Sequence, residues 1–252
     1  MATYKCTSKE EEEFLQHYDA SKYERPSVTA DIIIFTIDED DELNLLLIKR
    51  GGFPYKGFWA IPGGFLNVGK ESIDDAAARE LNEETGIKNA FLKQLYTFGK
   101  PGRDPRTTVI SVAYTALIPK KKLTVKAGDD ASDAKLFKVK EVKNGFIFVN
   151  DEITLTEKDL AFDHSEIIRT AITRLRGRID YEPDAFDLLR DKKSFTISEL
   201  KRIYETIKNK SLDLPNFRKA FFRDYVDTGR ATAMNQTALT KGRSARLYRF
   251  NG

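Results

Sequence analysis

The chain has 252 residues, 40% of them hydrophobic and 32% charged, with a net charge of +3. That is room for two modest domains at roughly 100–200 residues each, with a composition able to bury a core. No apolar run approaches the ~20 residues of a membrane span, and Glu10 to Glu13 stand where a signal peptide would be apolar, so a cytoplasmic location with no membrane partner is expected. One cysteine, Cys6, excludes an intrachain disulfide and a cysteine-based zinc site, and two histidines, His17 and His164, give little material for a histidine metal site. Hydrolytic chemistry, if present, must run on carboxylates.

In chain order, residues 8–20 read as a charged helical lead-in, and Ser27 to Ile37 as a buried strand. After an acidic turn, Leu43 to Arg50 is a second strand, followed by a Gly/Pro-rich stretch to Gly64. A helix is expected from about Ser72 to Thr85. Ser72 is placed to cap it, Asp74 and Asp75 suit its first turn, and Gly86 stops it. Strands are expected at Leu92–Phe98, Val109–Ile118 and Ala134–Val139, and a helix at about Ser165–Arg176. Trp59 is expected in the core. Strands and helices in this order suit helices packed on a mixed sheet.

Beyond Gly177 the pattern changes. Ile197–Ile207 carries Leu200, Ile203, Tyr204 and Ile207 at helical spacing, and Ser211–Phe222 reads as a second helix entered through Pro215. Tyr225–Gly229 and Ala245–Phe250 read as two strands around a basic loop. Charge follows the same division: residues 1–165 carry −5, residues 166–252 carry +8, and the last 61 residues carry +9. Such asymmetry points to two domains with different partners.

Glu80, Glu83 and Glu84 stand at i, i+3 and i+4, so three carboxylates crowd one helix face. Like charges so placed destabilise a helix unless a hard cation such as Mg²⁺ relieves them. Alone, such a triplet is usually a solvated face. Here it follows Arg79 and Glu71 and precedes Gly86-Ile87, and from Glu71 to Ile87 the segment resembles the Nudix box, G-x(5)-E-x(7)-R-E-U-x-E-E-x-G-U, where U is apolar. The resemblance implies that Glu80, Glu83 and Glu84 are metal ligands, with Glu80 or Glu84 near the activated water and hence catalytic. It implies that Glu71 and Arg79 brace loop against helix and that Gly64 is the box glycine. Mg²⁺ is the implied cofactor, with Mn²⁺ an alternative. One departure stands: six residues, not five, separate Gly64 from Glu71.

Many Nudix hydrolases use a further acid from a later loop, and Asp129 and Asp130 are candidates, a solvated turn being the alternative. Gly102-Arg-Asp-Pro-Arg106 resembles a motif of ADP-ribose-type Nudix proteins. Arg103 and Arg106, with Arg50, are candidates to hold phosphate or ribose oxygens by forked hydrogen bonds, or they form a charged loop.

In the basic third, two helices and a hairpin suggest a winged helix-turn-helix whose second helix enters the DNA major groove. That helix offers Asn216, Arg218, Lys219 and Arg223, and the wing offers Lys241, Arg243 and Arg246. A dimerising appendage with solvated charges is the alternative. Ala161-Phe-Asp-His164, Phe195–Leu200, Asn216–Lys219 and Arg246–Phe250 resemble Nudix-related transcriptional regulators of the NrtR and AraR type, which sense ADP-ribose or a sugar. On that resemblance His164 is a helix-start or interdomain residue.

The expected fold is α+β: a helical lead-in over 1–25, a Nudix α/β/α sandwich with a mixed sheet over 26–163, a linking helix over 164–180, and a winged helix-turn-helix over 181–252. The expected function is a metabolite-responsive regulator that binds, and hydrolyses with Mg²⁺, an ADP-ribose-like nucleotide sugar. Its partner is double-stranded operator DNA, and a homodimer follows from the resemblance. A plain ADP-ribose pyrophosphatase with a dimerising appendage, and a catalytically silent sugar-responsive repressor, are the alternatives.

Overall fold

A computed structural model describes residues 4–88, 90–124, 131–240 and 243–252, without the side chains of Ala131, Thr240 and Arg243. Strand β1 (Ser27–Ile37) is its axis. It runs parallel to β6 (Val109–Leu117) and antiparallel to β2 (Leu43–Arg50), making the sheet mixed. Around it the order is β5 (Leu92–Phe98), β6, β1, β2, β7 (Ala131–Val142), β8 (Gly145–Val149) and β9 (Thr154–Thr156). Two short strands add to its face-edges, β3 (Trp59–Ala60) on β2 and β4 (Gly63–Phe65) on β1.

Alternate side chains of a strand point to opposite faces, and β1 is apolar on both. Ala30, Ile32 and Ile34 pack with Ala76, Ala77 and Leu81 of α2 (Ile73–Thr85). Ile33 and Phe35 pack with Ile167, Ile168 and Ala171 of α3 (His164–Arg178) on the other side. The sandwich follows from that double apolar pattern. Helix α2 starts where its cap signals lie: Ser72 and Asp75 form a reciprocal capping box, and Gly86 ends the helix at φ 72°. The lead-in helix α1 (Lys9–His17) buries no residue.

The C-terminal part contains α4 (Asp184–Asp187), β10 (Phe195–Thr196), α5 (Ile197–Lys208), α6 (Leu214–Phe221), β11 (Ala231–Thr240) and β12 (Arg243–Phe250). The strands form a sheet in the order β10-β12-β11. This is a winged helix, with one correction to the sequence reading. Tyr225 lies on no strand. Phe222–Val226 continue α6 as a π turn, because Phe221 and Tyr225 recur at helical spacing and both face Phe186 or its neighbours in the core. The first wing strand begins instead at Ala231, within the segment expected to be loop.

The two parts share one apolar cluster, from Phe35 and Phe137 through Ile168 and Leu175 to Leu200 and Tyr204. Polar contacts lock the junction. Arg176 Nε donates to the Ile207 carbonyl at 3.0 Å, and Arg178 pairs with Asp184. From the β1–β2 turn, the Asp41 carbonyl accepts from the Thr206 hydroxyl at 2.7 Å.

Candidate functional site

A cavity of about 450 Å³ opens where β1, β4, α2 and the start of α3 meet. Glu80, Glu83 and Glu84 all face it; Glu80 and Glu84 are buried, while Glu83 is half exposed. Arg79 organises them. Its Nη2 reaches Glu71 at 2.9 Å and the Phe65 carbonyl at 3.2 Å, tying the loop to the helix. Its Nη1 donates to Glu80 at 2.6 Å and Glu83 at 3.4 Å.

These contacts separate two carboxylates electrostatically. The Arg79 fork and the Asn67 N–H hold Glu71 down at about 2. Its folded value lies below its ordinary 4.5, so this brace is fully formed above that pH and is lost only as pH falls toward 2. Burial instead pushes Glu80 up, Glu83 and Asp31 add to the effect, and Arg79 opposes it.

The glycine pair is a steric necessity. A Cβ on Gly64 would lie 2.0 Å from Glu80 Oε1, and one on Gly63 would lie 2.6 Å from the Ala30 carbonyl and 2.3 Å from Asp31 Oδ1. Only glycines let β4 lie on β1 between those carboxylates. The extra residue between Gly64 and Glu71 falls in a turn closed by Lys70 N–H to the Asn67 carbonyl at 3.0 Å, so Gly64 still meets Glu80. Gly63→Ala, whose Cβ meets backbone that cannot swing away, is expected to destabilise the fold by about 2 kcal/mol or more, read as a lowered melting temperature.

The arginines singled out by sequence line the same cavity. The buried Arg103 forks onto Asp163 with contacts of 2.8 and 2.6 Å, and stands 3.9 Å from Asp31. Arg106 forks onto Asp104 at 3.0 and 2.8 Å, with its guanidinium 5.3 Å from the Phe65 ring and 5.9 Å from Phe162. Arg50 Nε donates to the Pro54 carbonyl at 2.9 Å, and its guanidinium lies over Phe162 at 5.0 Å. Asp129 and Asp130 lie outside the described residues. Trp59 is core, edge-on to Phe137 at 4.8 Å.

Asp31, Phe162 and His164 also line the cavity and were not read as site residues. Asp31 had a legible signal, a lone charge inside an apolar buried run. Phe162 sits in left-handed backbone at φ 52°, a conformation uncommon for a side chain of this size.

On the second domain, Asn216, Arg218 and Lys219 are exposed on α6, while Phe221 faces inward. Asp213 caps this helix by accepting from Asn216 N–H at 3.0 Å. Arg218 and Arg246 line one groove between α6 and the wing, joined there by Lys201 and Arg202 of α5, which sequence reading missed. Arg223 follows α6 on the π turn, exposed, and forks onto Asp224 at 2.6 and 2.7 Å. Lys241 lies outside the described residues, and of Arg243 only the backbone, the first residue of β12, is described.

Compared with known proteins, residues 27–156 match the family model of the NUDIX domain. The chain belongs to the Nudix family. Residues 185–250 of this Nudix protein match the NrtR DNA-binding winged helix domain. Among curated relatives it is 33% identical to the ADPR responsive transcriptional repressor NtrR of Acinetobacter baylyi, over 95% of this chain and 88% of that one. It is 37% identical to the ADP-ribose pyrophosphatase of Methanocaldococcus jannaschii over 58% of this chain and 73% of that one. Among solved structures, a MutT/nudix family protein from Enterococcus faecalis superposes with a TM-score of 0.76 at 29% identity, covering 98% of this chain and all of that one (100%). Shewanella oneidensis NrtR in complex with a 27mer DNA gives 0.69 at 26% identity, covering 89% and 93%. The NUDIX domain of that NrtR with ADP ribose gives 0.52 at 29% identity, covering 65% and 97%. No helix among the described residues is long and apolar enough to cross a membrane.

Nudix hydrolases in general use divalent metal ions. The donor chemistry here fits such an ion, since carboxylates of Glu80, Glu83, Glu84 and Asp31 face one cavity and one of them, Glu80, is destabilised as an anion by burial. No three Asp, Glu, His or Cys side chains among the described residues already converge as a coordination cluster; Arg79 Nη1 bonds Glu80 and Glu83 instead.

Proposed function

We propose that this protein is a transcriptional regulator that grips operator DNA with α6 and the β11–β12 wing and responds to ADP-ribose in the Nudix pocket. One observation carries the reading. Helix α3 forms part of the pocket wall at His164, and its far end is fastened to the winged helix through Arg176 and Arg178. Whatever shifts α3 at the pocket is felt by the DNA-binding domain. The relative named for responding to ADP-ribose matches across both domains, which supports the same reading. Because two-fold operators match two-fold proteins, we infer a homodimer, working in the cytoplasm. Operator affinity, followed by fluorescence anisotropy, is expected to change at least tenfold at saturating ADP-ribose. Unchanged affinity would refute the response while leaving DNA binding intact.

A second reading, hydrolysis, is favoured by the complete set Glu80, Glu83 and Glu84 on the pocket and by the likeness to an archaeal ADP-ribose pyrophosphatase. These three, with the backbone at Gly64, would hold Mg²⁺ (or Mn²⁺), which supplies neutralisation of the pyrophosphate and a more acidic bound water. Arg79 would then release Glu80 and remain on Glu71, keeping the loop fixed. Arg103 and Arg106, by giving up Asp163 and Asp104, are the forks available to phosphate oxygens. Asp129 and Asp130 are kept as candidates for a further acid. Both readings can hold in one molecule.

A further inference from the structure

His164 is the first residue of α3, buried, with its ring in the cavity wall. Its Nδ1 accepts the backbone N–H of Ile61 at 3.1 Å. A ring nitrogen that accepts a hydrogen bond does not carry the proton. Burial holds the imidazole below its usual range, with Arg103 and Arg50 helping and Asp31 and Asp163 opposing. The ring is therefore neutral near pH 7, and its single proton sits on Nε2. The Ile61 bond occupies Nδ1 and leaves Nε2–H outside it.

Its neighbours are differently placed. The forks of Arg103 and Arg106 are turned onto Asp163 and Asp104. A ligand that recruits either must first replace a carboxylate. His164 offers a donor already oriented, with its tautomer fixed by the backbone and at no cost in broken ion pairs. A neutral donor also suits an oxygen beside Asp31 without trapping that carboxylate in an ion pair of its own.

We propose that His164 donates its Nε2–H to an oxygen of the nucleotide sugar bound in the pocket, and so ties the ligand to the first residue of the helix that holds the winged domain. The inference rests on the ADP-ribose reading of the pocket and adds the contact through which occupancy reaches α3. From His164 the helix runs 15 residues, about 22 Å, to the contacts with α5. In the ligand-free chain the Arg103–Asp163 fork holds the residue just before it.

The test uses the wild-type protein, ¹⁵N-labelled at histidine, with and without ADP-ribose. His17, exposed and distant in sequence, is the internal reference, and His17→Gln assigns the two rings. The free protein is expected to show His164 as the Nε2–H tautomer, and saturation with ADP-ribose is expected to move its Nε2 resonance and leave that of His17 in place. An Nδ1–H tautomer, or an unmoved His164 signal in a complex that calorimetry shows has formed, overturns the inference and leaves the ADP-ribose reading standing. No binding heat at all overturns both. As a second measurement, His164→Phe, which has no polar ring atom, is expected to weaken ADP-ribose binding about tenfold, the worth of one hydrogen bond. His164→Asn, whose amide can both accept from Ile61 and donate, is expected to recover part of that loss. Wild-type affinity in a folded His164→Phe protein would also refute the contact.

Discussion

Replacing Arg218 and Lys219 together with alanine is expected to weaken operator binding about 100-fold and to flatten its salt dependence by one to two units of slope. Each cation that meets a phosphate releases condensed counterions, and each contributes about one unit to that slope. A side chain that also reads a base edge is worth about 1–3 kcal/mol. Both residues are exposed on α6, whose inner face is held by Phe221, so the double variant should melt as the wild type does. Arg218 lies in the groove shared with Arg246 and Lys201, and Lys219 lies one residue further round the outer face of the helix. Titrations of a labelled operator at several salt concentrations give both quantities. If affinity and slope are both unchanged, the nucleic acid is bound by another surface.

Glu80→Gln is expected to have opposite effects on stability and on chemistry. Burial raises the Glu80 pKa, so the native state binds this proton more tightly than the unfolded chain. Stability therefore falls as pH rises through and beyond the ordinary value of 4.5, and at neutral pH the ionised carboxylate works against folding. Glutamine removes that charge and can still accept from Arg79. In the absence of metal it should raise the melting temperature by about 2–4 °C, the shift that ~1 kcal/mol gives in a chain of this size. On the proposed hydrolysis reading, AMP release from ADP-ribose with Mg²⁺ should fall by about three orders of magnitude, because several kcal/mol of charge stabilisation would depend on the site's carboxylates. A variant less stable than wild type without metal would contradict the electrostatic account. Turnover equal to wild type would remove Glu80 from the hydrolytic site.

Much of this was legible because it is local. The strands Ser27–Ile37, Leu43–Arg50 and Leu92–Phe98 run as their apolar patterns predict, since a buried strand and its turns are written in consecutive residues. The acidic face of α2 was readable for the same reason: positions three and four apart share a face whatever surrounds the helix. The wing was misread at Tyr225, where a β-rich run of residue types gave way to aromatic packing against Phe186 and Phe221. Local propensity lost there to tertiary contact.

The carboxylate triad, its glycine pair and the basic end of the chain were determined by sequence alone, because spacing along one element is enough to define them. Only the tertiary structure decided what they face. Asp31 finds Ser111 80 residues on, Arg103 finds Asp163 60 residues on, and Ile61 finds the ring of His164 103 residues on. No periodicity reports such distances, since they are set by how β1, the arginine loop and α3 close around one cavity. The same closure turns the arginine forks onto carboxylates and brings the ring of His164 to the cavity wall.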